Sequence, residues 1–206
     1  MALNTPIGLT PASFDNMITG AGAGYTNLAL TEGMTAETVS PLLQAALEAG
    51  ECLGATRGGF SFDFSYETRD IEADGKTFPF KGSTTLTVMN ASVSTTLLEV
   101  TPGVLSRVFS NSELNTDKNH MRFRMQFTED SYIPEMWFIM ALIGGGYVGI
   151  KMQNVLNIEG SSPTTTPDGE MELPGNFRAH QASLTDSQYG PAEIFWFYPE
   201  ETPPEP

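Results

Sequence analysis

Few residues in this chain combine the type and the spacing that chemistry demands. Gly20, Gly22 and Gly24 alternate as G-x-G-x-G. A phosphate loop must end in Gly-Lys-Ser/Thr, and a dinucleotide loop needs a strand–helix–strand frame. Neither follows these glycines. The chain has two histidines, His120 and His180, and one cysteine, Cys52, with no H-x-H, H-E-x-x-H or C-x-x-C spacing. Metal sites draw on several such ligands at short, regular intervals, so no metal and no cofactor is expected. Asp63 with Glu67, and Asp70 with Glu72, are carboxylate pairs of the sort a glycosidase sets across a sugar. In a chain with 25 acidic residues, such pairs also arise on any solvated face. Cys52, just before Leu53-Gly54, reads as a packed or exposed thiol rather than a nucleophile. Arg122 and Arg124 suit a carboxylate within the subunit or across an interface as well as they suit a ligand. The residues present no catalytic apparatus, so no enzyme is expected. A structural role and a binding role stay open, with an unrecognised carboxylate-pair hydrolase as a third possibility.

The elements that would position these groups follow from pattern and composition. The 206 residues fit one domain, over 17–199, with a Pro-containing extended arm at 1–16 and an acidic, proline-rich mobile tail at 200–206. The N-terminal stretch lacks the basic start and apolar block of a secretory signal. The most apolar run, Met136 to Ile150, is interrupted by Gly144, Gly145, Gly146 and Gly149. It falls short of the roughly 20 apolar residues a membrane-spanning helix needs, so no membrane contact is expected, and the run reads as strand, turn and strand. A single cysteine allows no internal disulfide framework. The formal charge of −15 disfavours tight binding to DNA or anionic membranes.

Strand signals dominate. Phe60, Phe62, Phe64 and Tyr66 alternate with Ser61, Asp63, Ser65 and Glu67, a period of two that predicts a strand with a buried aromatic face. Asp74-Gly75 is a turn signal, so 67–82 is expected to leave the sheet and return as a protruding hairpin. Between Leu86 and Val100 the apolar parity switches, which predicts a bulge near Met89-Asn90. Residues 110–120 read as a polar loop. Met121, Phe123, Met125 and Phe127 then alternate with polar residues as another strand. Pairs are expected at Tyr132–Ile143 and Val148–Ile158, and last strands at 177–180 and 194–198. Two helices are expected. Val39, Leu42, Leu43, Ala46 and Leu47 have helical spacing within 36–50, and Thr101-Pro102 caps and starts a short helix. Strands without regular strand–helix alternation argue for a mainly β, antiparallel sandwich or barrel with one short flanking helix.

The ordered segments LGATRGG (53–59), RDIEADGK (69–76), Lys81-Gly82, SVSTTLLEV (92–100) and Thr101-Pro102 together resemble the major tail tube proteins of bacteriophages with long, flexible tails. Val148-Gly149-Ile150-Lys151 and the stretch from Leu173-Pro174 to Ala179-His180 continue the resemblance, which covers about 50–200. The chain departs from that pattern at 36–50, which reads as inserted helix rather than core, and at a longer 160–169 loop. The resemblance implies six-subunit rings stacked into a hollow tube around a tape measure protein, in a virion whose parts are made in the bacterial cytoplasm. It implies tail terminator and baseplate or tail tip proteins as further partners, and passage of double-stranded DNA without specific binding. At about −15 each, six copies carry roughly −90 per ring, which would repel a sliding polyanion. Within that picture Glu67, Arg69, Asp70, Glu72, Asp74, Gly75 and Lys76 are expected inter-ring contacts. The alternatives are a tube protein of a contractile injection system, which shares this architecture, and a non-catalytic β-sandwich module decorating a virion or cell surface.

Overall fold

The computed structural model describes residues 15–72, 78, 81–165, 169–182 and 189–200. The elements run β1 (Ile18–Thr26), α1 (Ala36–Glu48), β2 (Thr56–Asp70), β3 (Thr84–Leu97), α2 (Pro102–Val108), β4 (Ser112–Asn115), β5 (His120–Phe123), β6 (Ile133–Leu142), β7 (Tyr147–Asn157), β8 (Leu173–Arg178) and β9 (Ala192–Phe197). The expected mainly β, antiparallel class is the one the chain adopts. Seven strands form a curled sheet in the order β1-β6-β7-β8-β3-β2, with β9 on a branch from β7; β4 and β5 form a separate hairpin.

The sheet divides at β7. Tyr147 to Met152 pair with β9, whereas Leu156 and Asn157 pair with β8. Between them Asn154 takes a left-handed backbone, φ 47°, a conformation asparagine tolerates better than most residues. Its side-chain amide donates to the His180 carbonyl at 3.2 Å, while the His180 N–H donates to the Gln153 carbonyl at 3.0 Å. One strand thus joins the two halves of the curled sheet.

Two apolar clusters hold the layers. Met136, Phe138, Ile150 and Met152 project from β6 and β7 against Ala91, Val93, Leu97, Leu173 and Phe177, with Val104 and Val108 of α2 closing that core. Alternate residues Trp137 and Ile139 point the other way, onto Tyr25, Val39, Ala46 and Phe197. β6 is apolar on both faces because both are covered, as its unbroken hydrophobic run requires. α1 packs into the core: Val39 is fully buried against Trp137's cluster. Thr35 precedes its first turn, and the Thr35 N–H donates to Thr38 Oγ1 at 3.0 Å. Gly50, φ 74°, follows its end, where a left-handed residue commonly stops a helix.

Several local expectations differ from the fold. The parity switch in β3 comes from Thr87, two residues before Met89: Glu67 pairs with Val88 but Thr68 with Leu86. That extra residue brings Leu86 onto the face of Met89, Ala91 and Val93. A second irregularity lies between Arg57 and Phe60, where Gly58 and Gly59 both have φ 77°, a conformation open to glycine at little cost. The strand expected through Phe127 stops at Phe123, and the supposed loop at 110–120 contains β4 and a 3₁₀ turn. The last strands begin earlier than expected, at Leu173 and Ala192, because ladder partners on β3 and β7 extend to those residues.

Candidate assembly surfaces

β2 and β3 are longer than the strand beside them. β8 pairs with β3 only from Ser92 to Leu97, yet the β2–β3 ladder continues through Phe64–Ala91 to Asp70–Thr84. The Ile71 N–H adds a bond to the Ser83 carbonyl at 2.7 Å. Seven residues of β2 and eight of β3, about 23 Å along β2 at 3.3 Å per residue, form a two-stranded ribbon beyond the sheet. Residues 67–70 stay paired with β3 as the ladder runs past β8. The aromatic face is only half buried for the same reason. Phe60 and Phe62 pack on the core, and Phe60 meets Phe138 edge-on at 4.9 Å. Phe64 and Tyr66, beyond the reach of β8, are 47% and 63% exposed, with Met89 exposed across from Tyr66 and Leu86 exposed across from Thr68.

The ribbon's other face is acidic. Asp63, Ser65, Glu67 and Arg69 alternate with the aromatics along β2, and all four are exposed. Asp63 and Glu67 share this face about 13 Å apart along the strand, too far for carboxyl groups that flank one glycosidic bond. Asp70 accepts the Thr84 hydroxyl at 2.5 Å. Glu72 is exposed just past the strand. Asp74, Gly75 and Lys76 lie outside the described residues, as do residues 1–14 of the expected 1–16 arm and 201–206 of the expected 200–206 tail.

A second projection follows α2. Thr101 Oγ1 accepts the Val104 N–H at 3.2 Å and Pro102 opens the helix. At its other end Phe109 packs edge-on against Phe123 at 5.4 Å. β4 and β5 then form a short finger. The Arg124 guanidinium lies 3.5 Å from Glu113, and Arg122 Nε donates to His120 Nε2 at 3.1 Å. Among the described residues Arg122 and Lys118 form no ion pair. Phe123, Met125 and Phe127 are all exposed, Met125 completely.

The remaining candidates resolve into structural roles. The G-x-G-x-G segment lies within β1, where the register against β6 shifts between Thr19 and Ala23. At Gly24 a Cβ would sit 2.6 Å from Leu53 Cδ1, so this glycine serves close packing, not phosphate. His180 Nδ1 lies 3.1 Å from the Asn154 carbonyl, and its ring meets Tyr132 edge-on. Cys52 is a half-buried free thiol whose Sγ accepts the Gly54 N–H at 3.4 Å. Burial, then the nearby Cys52 and Tyr147, push the Tyr25 hydroxyl above its usual pKa. Among the described residues no three His, Cys, Asp or Glu side chains are grouped to hold a metal ion.

One polar groove of about 470 Å³ runs between the Gly58-Gly59 bulge, Ser94–Thr96 and Glu159–Ser162. At its floor, Ser161 Oγ and Asn176 Oδ1 are buried without a hydrogen-bond partner. At its rim Arg57 holds Glu170 at 2.6 Å and Glu172 at 2.8 Å. Glu170's own backbone N–H, then Arg57, hold its carboxyl below the ordinary value. No helix among the described residues is long and apolar enough to cross a membrane.

No family model matches this chain, and no curated protein matches it. Among solved structures it is similar to a chain in the virion of a native gene transfer agent particle, at 14% identity, 64% coverage of this chain, 85% of the other and a TM-score of 0.39. It is also similar to a chain in the tail of an empty gene transfer agent particle, solved by helical refinement with C6 symmetry, at 12% identity, 66% and 87% coverage and a TM-score of 0.32.

Proposed function

We propose that this protein is a non-enzymatic structural subunit of a virion tail. Its copies close into six-membered rings that stack as a hollow tube around a tape measure protein, between terminator and tip proteins. The observation that carries this reading is the β2–β3 ribbon: beyond Ala91, among the described residues, the two backbones pair only with each other, with Phe64, Tyr66, Leu86 and Met89 open to solvent. An isolated two-stranded ribbon is marginal in water, and an exposed apolar patch of this kind marks a contact surface. Assembly covers both liabilities at once. The acidic composition supports a conduit that repels DNA during ejection, and the ordered resemblance at 53–59, 69–76 and 92–102 points the same way. Glu67, Arg69, Asp70 and Glu72 would then meet the next ring, with Asp74, Gly75 and Lys76.

Electron microscopy of the purified chain, alone and with its co-expressed tail proteins, tests this. Rings or tubes one domain thick are expected. Deleting 68–80 should leave a folded subunit that makes no long tubes. A chain that stays monomeric in both settings would overturn the proposal.

The polar groove with its orphaned Ser161 and Asn176 atoms favours one second reading, a glycan-binding decoration module on a virion or cell surface. That reading expects discrete particles that bind glycan arrays and lose binding with Asn176→Leu.

A further inference from the structure

Ladder register shows that the inner face of the sheet runs past its cover at β9. Residues directly opposite in an antiparallel pair share a face. Phe138, Ile150 and Ile194 therefore stand in one row, and Met140, Val148 and Trp196 in the next. Phe138, Ile150 and Met140 belong to or pack on the core that β3 and β8 complete, and Val148 is buried. The β9 members are bare: Ile194 is exposed and Trp196 is 58% exposed. Ile18, opposite Leu142 on the same face, is exposed as well. This apolar strip is fixed in place. The Tyr198 carbonyl accepts the Ala36 N–H at 3.0 Å, and Glu37 accepts the Glu200 N–H at 3.2 Å, which pins the chain after β9 to the start of α1.

The chain enters the sheet beside this strip. Asp15 and Asn16 line a groove of about 330 Å³ with Leu142, Gly146, Tyr198 and Pro199. The Gly144 N–H donates to the Asp15 carbonyl at 2.9 Å, and a Cβ on Gly144 would sit 2.8 Å from Asp15 Cβ. Upstream of that anchor, residues 1–14, outside the described residues, include Leu3, Ile7, Leu9 and Phe14 and no charged side chain. The lengths match. Gly144 to Val148 spans at most about 13 Å along β7, and one strand spacing of about 4.8 Å leads from there to Trp196. Leu9 lies six residues before Asp15, a reach of up to about 20 Å.

We propose that residues 3–14 fold back over the strip of their own chain, with Leu9 and Ile7 against Trp196 and Ile194. An uncharged segment suits an apolar surface, and a tether this short holds it there at about millimolar effective concentration. Pro6 and Pro11 lack a backbone N–H, so the arm covers the strip with side chains rather than as an added strand. The contact lies within one subunit, goes beyond the assembly role and does not depend on it.

Acrylamide quenching of the full chain reads this contact, because Trp196 and the buried Trp137 are its two tryptophans. Taken as the difference from Trp196→Phe, the Trp196 signal should be shielded. Ile7→Asp with Leu9→Asp should raise its quenching severalfold, and equal quenching in both chains would overturn the proposal. Cysteine trapping separates the occupants. With Cys52→Ser as background, Leu9→Cys with Ile194→Cys should close an intrachain disulfide under oxidation. At about 10 µM chain, that product should exceed interchain products about a hundredfold. Interchain dimers as the main product would overturn the proposal, since a second copy's arm would then be the occupant. The positions changed beyond Cys52 are exposed or precede Asp15, so circular dichroism should stay unchanged. Neither result bears on whether tubes form, which microscopy of the unmodified chain decides.

Discussion

Replacing Asn157 by leucine should be among the most damaging single changes in this protein, although the two side chains are nearly equal in size. Asn157 is 1% exposed. Its amide donates to the Val108 carbonyl at 2.7 Å and the Gly160 carbonyl at 2.9 Å, and its Oδ1 accepts the Asn176 N–H at 3.1 Å. One side chain therefore ties the end of α2, the turn after β7 and the edge of β8. A buried backbone group left without a partner costs about 1–3 kcal/mol. The Gly160 and Asn176 bonds are only partly buried, so water would recover part of their share, and a total loss of about 3–5 kcal/mol follows. That is a large fraction of the roughly 5–15 kcal/mol by which domains are stable. With a urea dependence near 2.5 kcal/mol per molar, the unfolding midpoint should fall by about 1.2–2 M. Trp137, fully buried, gives the fluorescence signal. Ser110→Ala, which removes only the oxygen accepting the Asn157 N–H at 3.0 Å, should cost about 1 kcal/mol. Because Val108 leads directly into the finger, hydrogen exchange at 112–123 should rise in Asn157→Leu before global unfolding. A midpoint shift below about 0.5 M would refute the reasoning, since water would then replace the side chain at all three bonds.

Three further outcomes follow from the packing and the charges. Val39→Ala should destabilise by about 1–3 kcal/mol, whereas Leu47→Ala, at a half-exposed position of the same helix, should stay within about 0.5 kcal/mol; equal effects in thermal melts would contradict α1 as core. Gly58→Ala, at φ 77° with no atom near the new Cβ, should cost about 1 kcal/mol through backbone strain alone, and an unchanged melting temperature would show that the bulge relaxes. Glu37's own backbone N–H, the Thr35 hydroxyl and the Glu200 N–H hold the Glu37 carboxyl below its ordinary value of 4.5. Its contribution is therefore complete above pH 4.5 and lost as pH falls through the lowered value. The stability gap between the native chain and Glu37→Gln should shrink below pH 4.5, and a gap constant to pH 3 would argue against the carboxylate's role.

Much of the fold was legible from local pattern. Strand period at Phe60–Tyr66, helical spacing at Val39–Leu47 and the Thr-Pro start of α2 are properties of neighbouring residues, and backbone geometry reads them directly. What escaped depended on partners distant in the chain. Alternation marked one face of β2 as apolar, but only the length of β8 decided that Phe60 and Phe62 are covered while Phe64 and Tyr66 are bare. The same holds for Met125 and Phe127, which carry a strand's pattern with no strand opposite them. The bulge position depended on cross-strand register, which places the extra residue at Thr87. Asn157 carries no sequence signal at all, because its value lies in three backbone groups that α2, β8 and a turn bring to one point. Local pattern records what a residue prefers; burial and satisfied hydrogen bonds belong to the whole arrangement, and that is where the candidate assembly surfaces of this protein were decided.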